Sequence, residues 1–257
     1  MQNNSTWARL QPSPTTWEPS SFNPTLTILA FVGIVVLNVL PAAAYLAIVL
    51  SVRGADVHHL DRISAHDLLR AQFVTYIPLG LYLIWIVPAL SLRSLRELGV
   101  RRPTPREVAI GLAGTAAMVL AIDVAGGIIA ALTHRHDTEQ AVALLKELHS
   151  PGDLALFVVI AAVLAPMIEE LTFRVFLFNA VSRYASFPVA AACSSIVFGI
   201  FHAAAPAQLV TVSIPLALGG LVLCWIYGTT RCYWSNVITH AAFNGSSVAL
   251  LFLFPNS

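Results

Sequence analysis

Residues 154–178 read Leu154-Ala-Leu-Phe-Val-Val-Ile-Ala-Ala-Val-Leu-Ala-Pro-Met-Ile-Glu-Glu-Leu-Thr-Phe-Arg-Val-Phe-Leu-Phe178. This stretch is long and apolar enough to cross a membrane as a helix, yet it carries two adjacent carboxylates, Glu169 and Glu170. A charged side chain at bilayer depth costs about 2.5–3.5 kcal/mol even on the lenient insertion scale, so such residues usually face a bundle interior or a watery cavity. The pair is therefore the first candidate for a functional site.

The composition of the whole chain predicts a membrane protein. Hydrophobic residues make up 57% of the chain and charged residues 11%, and the mean hydropathy is +0.77. A soluble globular protein has about 25% charged residues. The net charge of +1 gives no reason to expect a nucleic acid or an acidic partner. The three cysteines, Cys193, Cys224 and Cys232, are too few and too unevenly spaced for a disulfide framework or a zinc site.

Runs of about 20 mainly apolar residues predict an all-α fold, a polytopic transmembrane helix bundle. The first 25 residues are polar and predict a flexible tail, and residues 26–257 form a single transmembrane domain. The seven candidate spans in this domain are 26–52, 71–92, 106–132, 154–181, 186–205, 207–228 and 234–254.

Two further signals concern the ends of the spans. Apolar residues recur on one helical face after Asp137, which predicts an interfacial amphipathic helix over 138–149. The Lys/Arg bias of the connecting segments places the loop after the second span in the cytoplasm, and with it the N-terminus of the chain. That loop contains Arg93, Arg96, Arg101, Arg102 and Arg106.

Few ionisable side chains lie inside the predicted spans, and those of the C-terminal half form a group. Five of them come from three spans: Glu169, Glu170, Arg174, His202 and His240. One interpretation is that they form separate neutralised pairs that lock helices together. Their concentration in the C-terminal half of the chain favours a shared site instead.

The spacing of the acids assigns them different environments. Glu170 and Arg174 are separated by four residues, with the acid first, so they can pair on one helix face. Glu169 points about 100° away and stays chemically free. Pro166 lacks a backbone donor, so it is expected to free the Ala162 carbonyl and to kink the helix just before the acids.

The histidines also belong to i,i+4 pairs, which are Phe198 with His202 and His240 with Asn244. The second pair places an imidazole and an amide on one face, and two hydrogen-bond donors are what a developing oxyanion needs. At about 1.5 Å per residue, Glu169 lies roughly 18 Å and His202 roughly 24 Å from the inner span boundaries. A short or tilted fifth span would bring them to the same depth.

Three motifs in order carry a resemblance to a known family: EExxxR over Glu169–Arg174, FxxxH over Phe198–His202 and HxxxN over His240–Asn244. They resemble the CAAX protease and bacteriocin-processing family of intramembrane glutamic endopeptidases. The resemblance covers a motif core of about residues 150–250. Members of that family have about eight spans, so the resemblance implies a bundle of seven to eight.

The resemblance implies a role for each motif residue. Glu169 is expected to be the general base that activates a water, and His202 to share that water. His240 and Asn244 are expected to form the oxyanion site. Glu170 and Arg174 are expected to pair and to orient the helix or hold the substrate, with Phe198 as a supporting residue.

The resemblance also implies the setting of the reaction. It points to hydrolysis of a peptide bond near the membrane, with CAAX-type C-terminal processing as one form, and to no cofactor or metal. The expected partners are the lipid bilayer and a protein or peptide substrate, either prenylated or membrane-embedded. The expected location is a bacterial or archaeal cell membrane.

Three alternatives remain open at the level of sequence. A metal-dependent intramembrane protease could use His202, His240 and a glutamate as zinc ligands, although the chain has no H-E-x-x-H motif. A non-proteolytic scaffold, regulator or self-immunity protein could use the same fold to bind partners. A transporter could use intramembrane acids as a proton relay, although the seven spans show no inverted halves.

Overall fold

A computed structural model of the protein describes residues 20–56, 58–135, 137 and 140–253, which form helices and no strands. Of the predicted tail, residues 1–19 lie outside the described residues, whereas Ser21 and Phe22 are buried and the Phe22 N–H donates to the Leu90 carbonyl at 2.7 Å. The helices are α1 (Pro24–Val52), α2 (Ala65–Ser91), α3 (Pro105–Thr133), α4 (Gln140–Glu147), α5 (Pro151–Val159), α6 (Ala165–Glu170), α7 (Asn179–Ser182), α8 (Phe187–Phe201), α9 (Gln208–Thr211), α10 (Ser213–Thr230) and α11 (Tyr233–Leu253).

The fourth span is one continuous helix over Pro151–Ser182, in which two π-helical segments separate α5, α6 and α7. The first π segment is Ile160–Leu164 and the second is Leu171–Phe178. Nearly every residue of the second segment is buried, because it lies between α2, α8, α10 and α11. The fourth span is therefore the central element of the bundle.

The all-α transmembrane prediction is confirmed. Among the described residues, six helical segments are long and apolar enough to cross a membrane, and α8 is a seventh, shorter apolar helix. The chain is a multi-pass integral membrane protein. The second span begins at Ala65 rather than at 71, because the Ser64 side chain accepts from the Asp67 N–H and Asp67 completes a capping box.

The predicted amphipathic helix corresponds to α4, although residues 138 and 139 lie outside the described part. Leu145 and the following Leu148 are buried in a small apolar cluster with Leu69 of α2 and Phe157 of α5. The helix therefore packs across the starts of the second and fourth spans.

Helix α10 approaches α8 closely because of small residues at their contact. A Cβ atom added at Gly220 would lie 3.0 Å from the Cβ of Ser195. The Gly220 carbonyl is also within reach of Arg174, whose Nη2 donates to it at 3.2 Å. Close packing of α8 and α10 thus helps to enclose the side chains of the central span.

Candidate active site

Three side chains from different helices converge beside the central span. Glu169 lies on α6, His202 follows the last residue of α8, and His240 lies on α11. The Nε2 atoms of both histidines lie 3.6 Å from Glu169 Oε2. This separation is too long for a direct hydrogen bond. The two imidazoles and the carboxylate are therefore close enough to share one small molecule between them.

His202 reaches this site because α8 is short. The predicted span over 186–205 is helical only over Phe187–Phe201, which is 15 residues. At about 1.5 Å per residue, such a helix is shorter than the bilayer core of about 30 Å. The chain turns at His202, so its imidazole lies at the depth of Glu169. The short fifth span considered from the sequence is what the structure contains.

His240 lies between the two adjacent carboxylates. Its Nε2 lies 3.6 Å from Glu169 Oε2, and its Nδ1 lies 2.9 Å from Glu170 Oε1. The acids occupy a short α-helical turn flanked by the two π segments. Because a π turn contains an extra residue, it rotates the next residues of the chain relative to a regular helix, and π segments often occur at functional sites. This local geometry lets both acids contact one ring.

Glu170 is completely buried and accepts hydrogen bonds from three side chains. Arg174 Nη1 donates to Oε1 at 3.0 Å, which is the pairing that the i,i+4 spacing indicates. The amide of Asn236 donates to Oε2 at 3.0 Å, and His240 Nδ1 lies 2.9 Å from Oε1. A buried carboxylate is tolerated only when it is paired and hydrogen-bonded, and these three contacts meet that requirement.

The ring of Phe198 packs against Arg174 and against both histidines. The Arg174 guanidinium carbon lies 4.6 Å from the ring centroid of Phe198, which is a cation–π distance. The same ring lies 4.6 Å from the His202 ring and 5.7 Å from the His240 ring. Phe198 thus separates the buried guanidinium from both imidazoles and keeps the imidazoles in place by packing.

The hydrogen bonds at Nδ1 determine the tautomer of each histidine. His202 Nδ1 lies 2.7 Å from the Phe198 carbonyl, which can only accept, so this nitrogen carries a proton. Glu170 already accepts from a guanidinium and an amide, so His240 Nδ1 donates to it. When neutral, both rings therefore direct an Nε2 lone pair toward Glu169. Three acceptors facing one point require a shared proton or a hydrogen-bond donor such as water.

Asn244 lines the same cavity, and its side-chain amide donates to the Ala161 carbonyl at 2.8 Å. The expectation that Pro166 frees the Ala162 carbonyl is wrong by one residue. The Ala165 N–H donates to the Ile160 carbonyl, five residues back, so the π register continues and the missing Pro166 donor would have reached Ala161. Asn244 supplies the donor that the proline cannot.

A cavity of about 620 Å³ contains the site. Glu169, His202, His240 and Asn244 all line it, so the structure brings the four predicted catalytic residues to one cavity. No group of three or more His, Cys, Asp or Glu side chains in the described chain has an arrangement that could hold a metal ion.

Comparison with known proteins covers the same part of the chain. Residues 151–246 match the model of a family described as "Type II CAAX prenyl endopeptidase Rce1-like". The protein is also similar to a Bacillus subtilis protein named "Putative membrane peptidase YdiL", with 27% identity over 89 residues. That similarity spans 35% of this chain and about a third (34%) of the relative. No solved structure matches the chain.

All three motifs lie inside the matched range. Over this part of the chain, both matches support the resemblance to the CAAX protease and bacteriocin-processing family. The CAAX protease match begins at the first residue of α5, so it includes the central span, α8, α10 and most of α11. Helices α1 to α4 lie before it.

Part of the cavity lining comes from helices outside the family match. Asn38 of α1, with Gln72 and Tyr76 of α2, lines the cavity. These residues were not predicted as site residues, because the candidates were the ionisable side chains inside the spans and the residues four positions from the histidines. The i,i+4 spacing of Gln72 and Tyr76 on an apolar helix was a usable signal.

Proposed function

We propose that this protein is an intramembrane endopeptidase in which Glu169 activates a water for hydrolysis of a peptide bond. The observation that carries the proposal is the convergence of Glu169 with two imidazole Nε2 atoms at 3.6 Å, inside a cavity between membrane-spanning helices. A carboxylate and an imidazole that face one point can hold a water by two hydrogen bonds. Proton transfer by such positioned side chains contributes about 10²–10⁴-fold to a rate.

The proposed reaction needs no group beyond the side chains and a water. Glu169 takes a proton as the water oxygen attacks the carbonyl carbon, while His202 Nε2 accepts the other hydrogen of the water. The tetrahedral intermediate collapses with cleavage of the C–N bond. Glu169 then returns its proton to the leaving amine, so the carboxylate is regenerated for the next cycle.

His240 and Asn244 are proposed to stabilise the oxyanion, and the geometry limits how each can do so. Because His240 Nδ1 is directed to Glu170, only a protonated Nε2 could donate to the oxyanion. In that state the charges of Glu169, Glu170, Arg174 and His240 sum to zero, which suits a site enclosed by apolar helices. Asn244 has one amide hydrogen left after its bond to Ala161.

The proposed substrate is a membrane-associated polypeptide, and CAAX-type processing is the form that the family description supports. The direct test uses the full chain reconstituted in liposomes with a farnesylated peptide that ends in a CAAX sequence, and the same peptide without the lipid. Mass spectrometry of the products is expected to show a single internal cleavage of the farnesylated peptide. A folded protein that cleaves neither peptide would favour the partner-binding alternative, and activity lost on chelation would favour a metal.

Asn244 has a structural bond as well as its proposed catalytic one, and a double variant separates them. Asn244→Ala is expected to destabilise the protein by about 1 kcal/mol, because the Ala161 carbonyl loses its donor. Cleavage is expected to fall about 10²–10³-fold through loss of an oxyanion donor. Adding Pro166→Ala restores a backbone N–H near that carbonyl. Thermal unfolding in detergent is then expected to recover while cleavage does not.

A matched control for this test is Ser247→Ala, since Ser247 bonds only the Phe243 carbonyl of its own helix in the described structure. This variant is expected to change neither measurement appreciably. If the double variant regains cleavage together with stability, the role of Asn244 is structural and the oxyanion proposal for it is wrong.

A further inference from the structure

Asn236 belongs to none of the three motifs, but it contacts the residues that hold His240 in place. It lies on α11 one helical turn before His240 and is completely buried. Its Nδ2 donates to Glu170 Oε2 at 3.0 Å and to the Leu223 carbonyl of α10 at 2.8 Å. One side chain therefore connects the central span, α10 and α11 at the level of the acids.

The burial of Asn236 has a cost that packing alone does not explain. Its Oδ1 accepts no hydrogen bond from the part of the chain that the structure describes, although the atom is buried. An unsatisfied buried acceptor costs about 1–3 kcal/mol, and an apolar side chain of similar size would avoid this cost. An apolar side chain could make neither of the two bonds that the Asn236 amide donates, so these bonds are what Asn236 adds to the packing of α11.

The hydrogen-bond donors around Glu170 are distributed over both of its carboxylate oxygens. Asn236 engages Oε2, whereas Arg174 and His240 Nδ1 both contact Oε1. With both oxygens held, the plane of the carboxylate is fixed. A fixed Oε1 in turn fixes the rotation of the His240 ring, which places Nε2 opposite Glu169.

We propose that Asn236 is a positioning residue of the hydrolysis, because it orients Glu170 and thereby sets the tautomer and direction of His240. The inference rests on the proposed function for its effect on cleavage, although its effect on His240 is independent of any substrate. Hydrogen-bond partners of metal-ligating histidines typically contribute about 10–100-fold to activity, and we expect an effect of the same size for a partner that orients His240.

The test compares two substitutions that keep the size of the side chain. Asn236→Leu removes both donors, and it is expected to lower kcat for the farnesylated CAAX peptide about 10–100-fold with little change in KM. Asn236→Asp places a carboxyl beside Glu170 and can donate to it only when protonated. Its activity relative to wild type is therefore expected to recover as the pH falls and to decline as the pH rises.

The groups around position 236 define what else could titrate in this experiment. Glu170 and Arg174 face it from the central span, and His240 lies on its own helix. The buried Cys224 thiol of α10 follows Leu223, whose carbonyl accepts from Asn236. All of these groups are present in the wild type. Dividing the pH profile of the variant by the wild-type profile therefore isolates the introduced carboxyl.

Thr239→Val is the matched control, because Thr239 is also buried on α11 and its hydroxyl donates to the Gly111 carbonyl of α3. It removes a buried hydrogen bond between helices without contacting Glu170. The ratio of the Thr239→Val activity to the wild-type activity is expected to be independent of pH. Thermal unfolding measured at each pH separates loss of folded protein from loss of turnover.

A second readout needs no substrate. Histidine-selective ¹⁵N NMR in detergent is expected to show His240 protonated at Nδ1 in the wild type and a mixture of tautomers in Asn236→Leu, with the signal identified by its absence in His240→Asn. An unchanged tautomer would overturn the positioning role even if the peptide is cleaved. If Asn236→Leu alters the tautomer but the wild-type protein cleaves no peptide, the positioning role of Asn236 is supported. Only the proposed hydrolysis is then contradicted.

Discussion

The Glu169→Gln variant is expected to fold like the wild type and to cleave the farnesylated probe about 10²–10⁴-fold more slowly. Glutamine has nearly the same shape as glutamate, so the packing of α6 against the cavity is preserved. It cannot accept a proton from water at neutral pH, so the proposed general base is lost. The measurement is the initial rate of peptide cleavage in liposomes, normalised to the amount of monodisperse protein.

Two controls make this result specific to the base. Glu97→Gln makes the same chemical change at an exposed position in the loop after α2, outside the cavity lining, and it is expected to leave the rate within about threefold of wild type, as surface substitutions usually have small effects. Thermal unfolding of Glu169→Gln reports whether the bundle is intact. If a folded Glu169→Gln protein cleaves the probe at the wild-type rate, Glu169 is not the base.

The sequence predicted the bundle well because hydropathy and helical spacing act locally. A run of apolar residues must form a helix in lipid, since its backbone groups have no other partners there. The pairing of Glu170 with Arg174 also follows from spacing within a single helix. Features of this kind require no knowledge of the neighbouring helices.

The register of the central span could not be predicted in the same way. A π turn changes the helix by one residue and leaves its hydropathy unchanged. Here the first π segment ends two residues before Pro166, and the Asn244 amide reaches the Ala161 carbonyl from 83 residues away in sequence. In this register the carbonyl facing the missing Pro166 donor is that of Ala161 rather than that of Ala162.

The role of Asn236 was missed for a different reason, because its signal was present in the sequence. Asn236, His240 and Asn244 follow one another at a spacing of four positions, so they form one polar row along α11. The predicted site included this row only from His240 onward, its first ionisable member. A neutral amide in a span can be a helix-packing contact as easily as a functional one, and only its bond to Glu170 distinguishes the two.

The largest expected effect on stability comes from Arg174→Met. Arg174 and Glu170 are both completely buried, and their side chains are 3.0 Å apart. Removing one partner of a buried ion pair leaves an uncompensated charge and typically costs about 3–5 kcal/mol. We expect a much lower unfolding temperature in detergent or failure to accumulate in membranes.

Arg70→Met is the matched control, because Arg70 is half exposed and its 3.7 Å contact with Asp153 is expected to contribute at most about 1 kcal/mol.

The double variant Arg174→Met with Glu170→Leu tests whether this pair serves folding or chemistry. Replacing both members of a buried ion pair by apolar residues is often neutral or stabilising, so the unfolding temperature is expected to recover most of the loss. Cleavage is not expected to recover, because His240 then has no carboxylate at Nδ1 to set its tautomer. Recovery of both measurements would mean that the pair only supports the bundle. Recovery of stability alone would mean that the protein retains two buried charges in its central helix because they orient His240.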